Sequence, residues 1–165
     1  MKRAKKGTPQ PMSARLFAGY TVRNLRMADF PEILALWRSC EGLGLNASDT
    51  RQAIGRFLNR NRNLSPVVCH QGKIVAAVLC GHDGRRGYLH HLAVAAAHRR
   101  NGIGRALAAE CLRRLAALHV AKCNIFLYRT NAAGRAFWIR QGWTARADLI
   151  VVQRATVPLG VPSHD

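Results

Sequence analysis

Acidic side chains are scarce in this chain: 8 Asp and Glu stand against 26 Lys and Arg, for a formal net charge of +18 over 165 residues. Few carboxylates are therefore available as a general base. The excess positive charge favours an anionic partner, such as cofactor phosphates, nucleic acid, a ribosome or an acidic substrate. Long apolar runs are missing, so no segment reaches membrane-spanning length. The stretch MKRAKKGTPQPMSARLFAG holds no long apolar core, which argues against a secretory signal. It is basic and free of acids, so an organelle transit peptide stays open, while its Gly and Pro favour a disordered tail over 1–18. No Cys-x-x-Cys pair occurs. The five cysteines (Cys40, Cys69, Cys80, Cys111 and Cys123) are widely spaced and odd in number, which reads as reduced thiols in a cytoplasmic protein. His90 and His91 are strand neighbours, expected on opposite faces, so they do not make a metal site and none is expected. Aromatic residues do not interleave with basic ones, so the stacking platform of a single-strand binder is lacking and specific nucleic-acid binding is not expected. No repeat is visible.

What the chain does have is concentrated between Tyr88 and Leu118, YLHHLAVAAAHRRNGIGRALAAECLRRLAAL. An apolar strand runs into the basic loop Arg99-Arg100-Asn101-Gly102-Ile103-Gly104-Arg105, and the loop runs into a helix. Ile103, Leu107, Cys111, Leu115 and Leu118 recur at helical spacing and predict a buried stripe. Bare N–H groups and fixed positive charge at a helix N-terminus suit a phosphate or pyrophosphate. Gly102 and Gly104 allow the backbone to approach it closely. The pattern is neither the GxGxxG dinucleotide fingerprint nor a triphosphate loop, because no Lys-Ser/Thr follows the glycines.

A second segment lies downstream, Asn131-Ala-Ala-Gly-Arg-Ala-Phe-Trp-Ile-Arg-Gln-Gly-Trp143. Arg99, Gly102 and Gly104 after a strand ending in Val94, with Asn131, a helix and Gly142-Trp143, resemble the two hallmarks of the GNAT superfamily of acetyl-CoA-dependent N-acetyltransferases. The likeness covers about residues 20–154. The stretches LWRSCEGLGL, SDT and GHDGRRGYLHHLAV are similar to the YpeA-like branch of small bacterial members. The resemblance implies an α/β (α+β) fold with a mixed, mostly antiparallel sheet flanked by helices on both faces. Length fits one domain over 19–155, with a C-terminal tail over 156–165.

The expected elements follow from local signals. A strand starts over Tyr20–Arg26. Asp29 with Glu32 forms a capping box for a helix to about Cys40 on Ile33, Leu36 and Trp37. After the Glu41–Asn46 loop, Asp49 with Gln52 opens a second helix to about Arg60. Strands Pro66–His70 and Lys73–Gly81 join through a Gln71-Gly72 turn. After the Asp83–Gly87 turn come the strand Tyr88–Val94 and the long helix. A strand over Ala121–Tyr128, a helix over Asn131–Gln141, and a last strand pair over Trp143–Ala147 and Leu149–Arg154 complete the chain.

The chemistry of acyl transfer assigns expected roles. Main-chain N–H groups from about Asn101 to Arg105, with Arg99 and Arg100, hold the pyrophosphate, and the helix dipole contributes roughly 0.3–1 kcal/mol. By the resemblance, the pantetheine arm of acetyl-CoA runs along the strand edge at Leu92, Ala93 and Val94, and the Val94 amide polarises the thioester oxygen. Asn131 contacts the arm or caps its helix. Trp138 stands where the family usually has a Tyr that protonates the departing thiolate; an indole cannot replace it, and the residue reads equally as a core aromatic. His90, placed by parity on the face of Tyr88, Leu92 and Val94, is the first candidate base. Glu41, Asp49 and Asp83 are its carboxylate rivals, with Asp49 also read as a cap, and His91 reads as structural. Trp37, Arg38, Glu41, Leu45, His82, Arg85 and Arg86 are expected around the acceptor, and the arginine pair could read a carboxylate. The expected activity is direct acetyl transfer from acetyl-CoA to a primary amine of a small molecule or peptide, by a monomer or homodimer that does not bind membranes. The alternatives are an acyl-CoA-binding module without turnover and a ribosome- or nucleic-acid-associated protein.

Overall fold

The Gln71-Gly72 dipeptide makes the tightest turn of the sheet, because both residues take left-handed backbone angles (φ +50° and +78°). Such a turn matches the twist of the strands it joins. It links β2 (Pro66–His70) to β3 (Lys73–His82). A computed structural model describes residues 19–156 of the chain. Five strands run in the spatial order β1-β2-β3-β4-β5, where β1 is Tyr20–Asn24, β4 is Gly87–Val94 and β5 is Cys123–Ile125. The first four pair antiparallel, and β5 pairs parallel to β4.

Both faces of the sheet are covered, as the near-continuous apolar runs of β2 and β3 require. On one face lies α3 (Ile103–Ala117), which buries Ile103, Leu107, Cys111 and Leu115 against Val68, Val78 and Leu89. On the other lie α1 (Phe30–Arg38) and α2 (Arg51–Arg60), whose Ile33, Trp37 and Ile54 pack with Val67, Ala77 and Leu79. The crossover from β4 through α3 to β5 is a strand–helix–strand unit. The helix α4 (Ala132–Arg140) follows β5. Among the described residues no helix is long and apolar enough to cross a membrane.

Several local expectations are overturned by tertiary partners. Asp29 and Glu32 do not form a capping box. The Asp29 carboxylate instead takes two bonds from Arg23 (2.6 and 2.8 Å) and one from the Arg26 amide. Glu32 reaches across to accept the Ile74 N–H at 2.6 Å, a donor at the start of β3 that the sheet leaves free. The second helix is capped by Thr50, not Asp49. Asp49 closes the preceding 3-10 turn with Asn46. Leu118 lies beyond α3 and is half exposed.

The C-terminal strand pair is absent among the described residues: 143–156 carry no strand, and Ile150 and Val152 are about four-fifths exposed. Alternation makes a segment able to pair, but pairing needs an edge. β5 is three residues long instead of the expected eight over Ala121–Tyr128, and its pairing with β4 ends at Leu89 and Ile125.

Candidate active site

Two strand features create the site. The last β4–β5 pair is Leu89 with Ile125, so His90–Val94 have no partner on the β5 side. On the β3 side, Leu79 opposes His90 and Ala77 opposes Ala93. One β3 residue, Val78, therefore faces two on β4, which is a bulge centred on His91. His91 adopts φ +50°, a left-handed angle that costs a non-glycine residue about 1–3 kcal/mol.

The bulge reverses the expected parity. Tyr88, His90, His91 and Ala93 all lie on the α1–α2 face, whereas Leu89, Leu92 and Val94 pack toward α3. His90 and His91 thus share a face, against the opposite faces that strict alternation implies, and His90 does not share one with Leu92 and Val94. An inserted residue shifts the period-two count by one, and nothing in the local sequence announces the insertion.

The strained histidine is held from two sides. Its Nε2 lies 2.6 Å from Asp49 Oδ1, and its ring packs on Trp37 with centroids 4.8 Å apart. Burial pushes the Asp49 carboxyl upward, but hydrogen bonds from His91 and the Asn46 amide outweigh it and hold the group below its ordinary range. Its bond is therefore worth most above the unfolded carboxylate pKa of about 3.9 and is lost as pH falls through the lower folded value. Asp49→Ala is expected to destabilise the protein by about 1–3 kcal/mol in urea unfolding at pH 7, and the gap to wild type should shrink below about pH 4. A gap that is constant with pH would show that the carboxylate is not the source.

His90 sits in an aromatic setting. Its ring meets Phe57 edge-on at 6.1 Å and lies near parallel to Tyr88 (6.2 Å) and Phe126 (6.4 Å). Burial, with the charge of His91, lowers its pKa and keeps the imidazole neutral at pH 7.

The Arg99–Arg105 loop lies beyond the end of β4. Arg100 (φ +66°) and Gly102 (φ +73°) take left-handed angles, and α3 begins at Ile103. The first amide bonded back is Ala106, to Gly102 O at 2.9 Å. The N–H groups of Asn101 to Arg105 have no acceptor among the described residues. A Cβ at Gly102 would meet nothing within 4 Å, so the ground above the loop is clear. Arg99 is used differently from expectation. Its Nε donates to Val94 O at 2.9 Å and its Nη2 to Cys40 Sγ at 3.6 Å, which braces the loop against the strand. Ala95 N–H bonds to Val75 O, so the alternation of the ladder turns the N–H of Val94 away from β3, toward the gap. Ala93 lies elsewhere: it pairs with Ala77 and is buried under α1.

Asn131 caps α4 by accepting the Gly134 N–H at 2.7 Å, and its amide also reaches Gly42 O at 3.5 Å. Glu41 is exposed and adjoins Gly42 in the chain. Trp138 is buried in the α3-side core, edge-on to Trp143 and Phe137, as its core reading requires. Trp37 is likewise core, and the Arg86 guanidinium donates to the carbonyl of Arg85 in an exposed turn. The loop Glu41–Asn46 bridges the gap: a Cβ on Gly44 would fall 2.0 Å from the Tyr128 hydroxyl, so only glycine lets that ring seat.

A free amide run at one helix start, beside a strand edge left open by a splayed neighbour, is a geometry with known counterparts. The family model described as acetyltransferase (GNAT) family matches residues 21–143. The chain belongs to the GNAT acetyltransferase family. An acetyltransferase of Sodalis glossinidius is 32% identical over 112 residues, 68% of this chain and 78% of that protein. An acetyltransferase of Yersinia enterocolitica is 33% identical, covering 68% and 79%. Among solved structures, Ard1 from Thermoplasma volcanium aligns with a TM-score of 0.70 at 16% identity, covering 79% of this chain and 86% of that one. A PaiA N-acetyltransferase from Thermoplasma acidophilum, in complex with coenzyme A, aligns at 0.69 with 13% identity, covering 77% and 91%. These structures share the fold, and the family makes the chain an acyltransferase.

For a GNAT acetyltransferase, the sequence reading missed the α2 side of the site. Phe57, Arg60 and Asn61 line a cleft with Tyr88 and His90. Phe57 and Arg60 read only as a helix face of α2, Asn61 stands just past its end, and no motif marks any of the three. The side-chain partnership of His91 with Asp49 was also invisible, since it spans 42 residues.

Proposed function

We propose that this acyltransferase moves an acetyl group from acetyl-CoA directly to a primary amine, without an acyl-enzyme. The observation that carries the reading is the run of unpaired N–H groups from Asn101 to Arg105 at the open end of β4. A diphosphate fits there, with Arg100 and Arg105 exposed beside it, and the coenzyme A complex of a structural neighbour supports the choice. The pantetheine arm then lies against the unpaired edge at Leu92 and Val94, with Asn131 at the far side of the gap.

In the transfer step the amine nitrogen forms a bond to the thioester carbon, and the carbon–sulfur bond breaks. The Val94 amide stabilises the charge on the carbonyl oxygen. His90, neutral and on the acceptor face, takes the proton from nitrogen. Glu41 is the second candidate, on the bridging loop. Deprotonating an α-amine (pKa about 8) at pH 7 costs about 1.4 kcal/mol, against about 4.6 kcal/mol for a lysine, so an α-amine makes the smaller demand on the base. The leaving thiolate, with a pKa near 8.5, takes its proton from water or from Tyr128, since the Trp138 indole cannot supply one.

Trp138 also favours a second reading, a module that binds acyl-CoA without turnover. Two measurements on the whole protein decide. Calorimetry with acetyl-CoA is expected to show binding, and thiol release is expected with at least one member of a broad amine panel. Binding with no release for any amine would establish the module. No heat on titration would remove both readings.

A further inference from the structure

The cleft beside His90 holds one uncommitted charge. It measures about 200 Å³ and opens between α2 and the turn joining β3 to β4. Phe57, Tyr88 and His90 wall it, and Gly81 floors it, where a Cβ would come within 2.7 Å of both Phe57 and Asn61. Most of its other polar groups, His90 apart, already have partners. Asn61 donates to Phe57 O at 3.1 Å and accepts the His82 N–H at 2.9 Å. Asp83 accepts the Arg85 and Arg86 amides, each at 2.7 Å, and the Tyr88 hydroxyl at 3.3 Å. His82 Nδ1 accepts the Gly84 amide. Arg60 has no ion pair or hydrogen bond among the described residues.

A cleft with apolar walls, a cation without an ion pair at Arg60, and a carboxylate at Asp83 already taken up by neutral donors selects its occupant. The guanidinium fork matches a carboxylate in two-point contact. The aromatic walls bury an apolar side chain. We propose that the acceptor is a small amine carrying a carboxylate on an apolar body, of the apolar α-amino-acid class, with its carboxylate on Arg60 and its amine toward His90. The inference rests on the acetyl-transfer reading for its purpose. Arg85 and Arg86, the pair the sequence offers for a carboxylate, are not among the groups it uses.

Three ligands of one shape test it: L-phenylalanine, L-phenylalanine amide and phenethylamine, titrated by calorimetry into the full-length protein with and without coenzyme A. L-Phenylalanine is expected to bind at least tenfold more tightly than the other two. Arg60→Gln should erase the difference and Arg60→Glu should reverse it, with thermal melts confirming folded variants. Equal or tighter binding of the two neutral-tailed ligands by wild type, binding of none of the three, or a preference that survives Arg60→Gln overturns the proposal. Thiol release from acetyl-CoA with the same ligands separates the two readings. Release with phenethylamine alone would sink the carboxylate and leave acetyl transfer standing. The binding preference without release from any ligand would do the opposite.

Discussion

Gly104→Glu is expected to abolish acetyl-CoA binding. Gly104 stands in the first turn of α3, where the N–H groups of Asn101 to Arg105 are unpaired. A glutamate adds bulk and a negative charge at the position proposed for the diphosphate. Two unit charges about 4 Å apart repel by about 4 kcal/mol at an effective dielectric of about 20. A loss of at least about 100-fold in affinity, near 2.7 kcal/mol, follows. Gly104→Ala is the control for shape. Its Cβ would meet Phe137 Cζ at 3.4 Å and Val94 Cγ2 at 3.6 Å, ordinary contact distances. Alanine also improves helix propensity by about 1 kcal/mol. The alanine variant should keep its affinity within severalfold while the glutamate variant shows no heat in calorimetry. Unchanged affinity in a folded Gly104→Glu protein would move the diphosphate elsewhere.

His90→Ala should lower kcat by about 10²–10⁴ while leaving acetyl-CoA affinity within about threefold, as removal of a positioned general base does. The separation comes from the bulge after His90, which leaves the His90 ring on the α1–α2 face and turns the Leu92 and Val94 side chains to the α3 side. The pH dependence has a definite sign. Burial places the folded pKa of His90 below the ordinary value of about 6.5, so the acid limb of activity falls below that pH, and activity rises with pH through it. Stability follows the same group. Between the folded value and about 6.5 the unfolded chain binds the proton first, so acidification through that window destabilises the native state, and His90→Ala removes this part of the dependence. Wild-type turnover in the alanine variant would dismiss His90 and direct attention to Glu41 or to water.

The legible parts of this protein were those in which a short stretch of sequence is its own explanation. Gln71-Gly72 makes its turn from local backbone preferences, and the hairpin of β2 and β3 stands within a residue of expectation. Asn131 caps α4 through its own third neighbour. The illegible parts involve competition for a partner. Glu32 offers a local box but bonds to Ile74, 42 residues away, because a free sheet amide is the better donor. The run Trp143–Arg154 alternates like a strand and finds no edge, since β5 ends at Ile125.

The site divides along the same line. Glycines at fixed spacing, basic residues and an amphipathic stripe sufficed for the loop of unpaired amides and the helix behind it, because left-handed turns and helix starts are properties of a few consecutive residues. That both histidines share the α1–α2 face was settled by one extra residue in β4, and that insertion exists only in the pairing with β3. A period-two count carries no record of a slip, so the direction of every side chain from His91 to Val94, and with it the chemistry of the cleft, was decided by the assembled sheet.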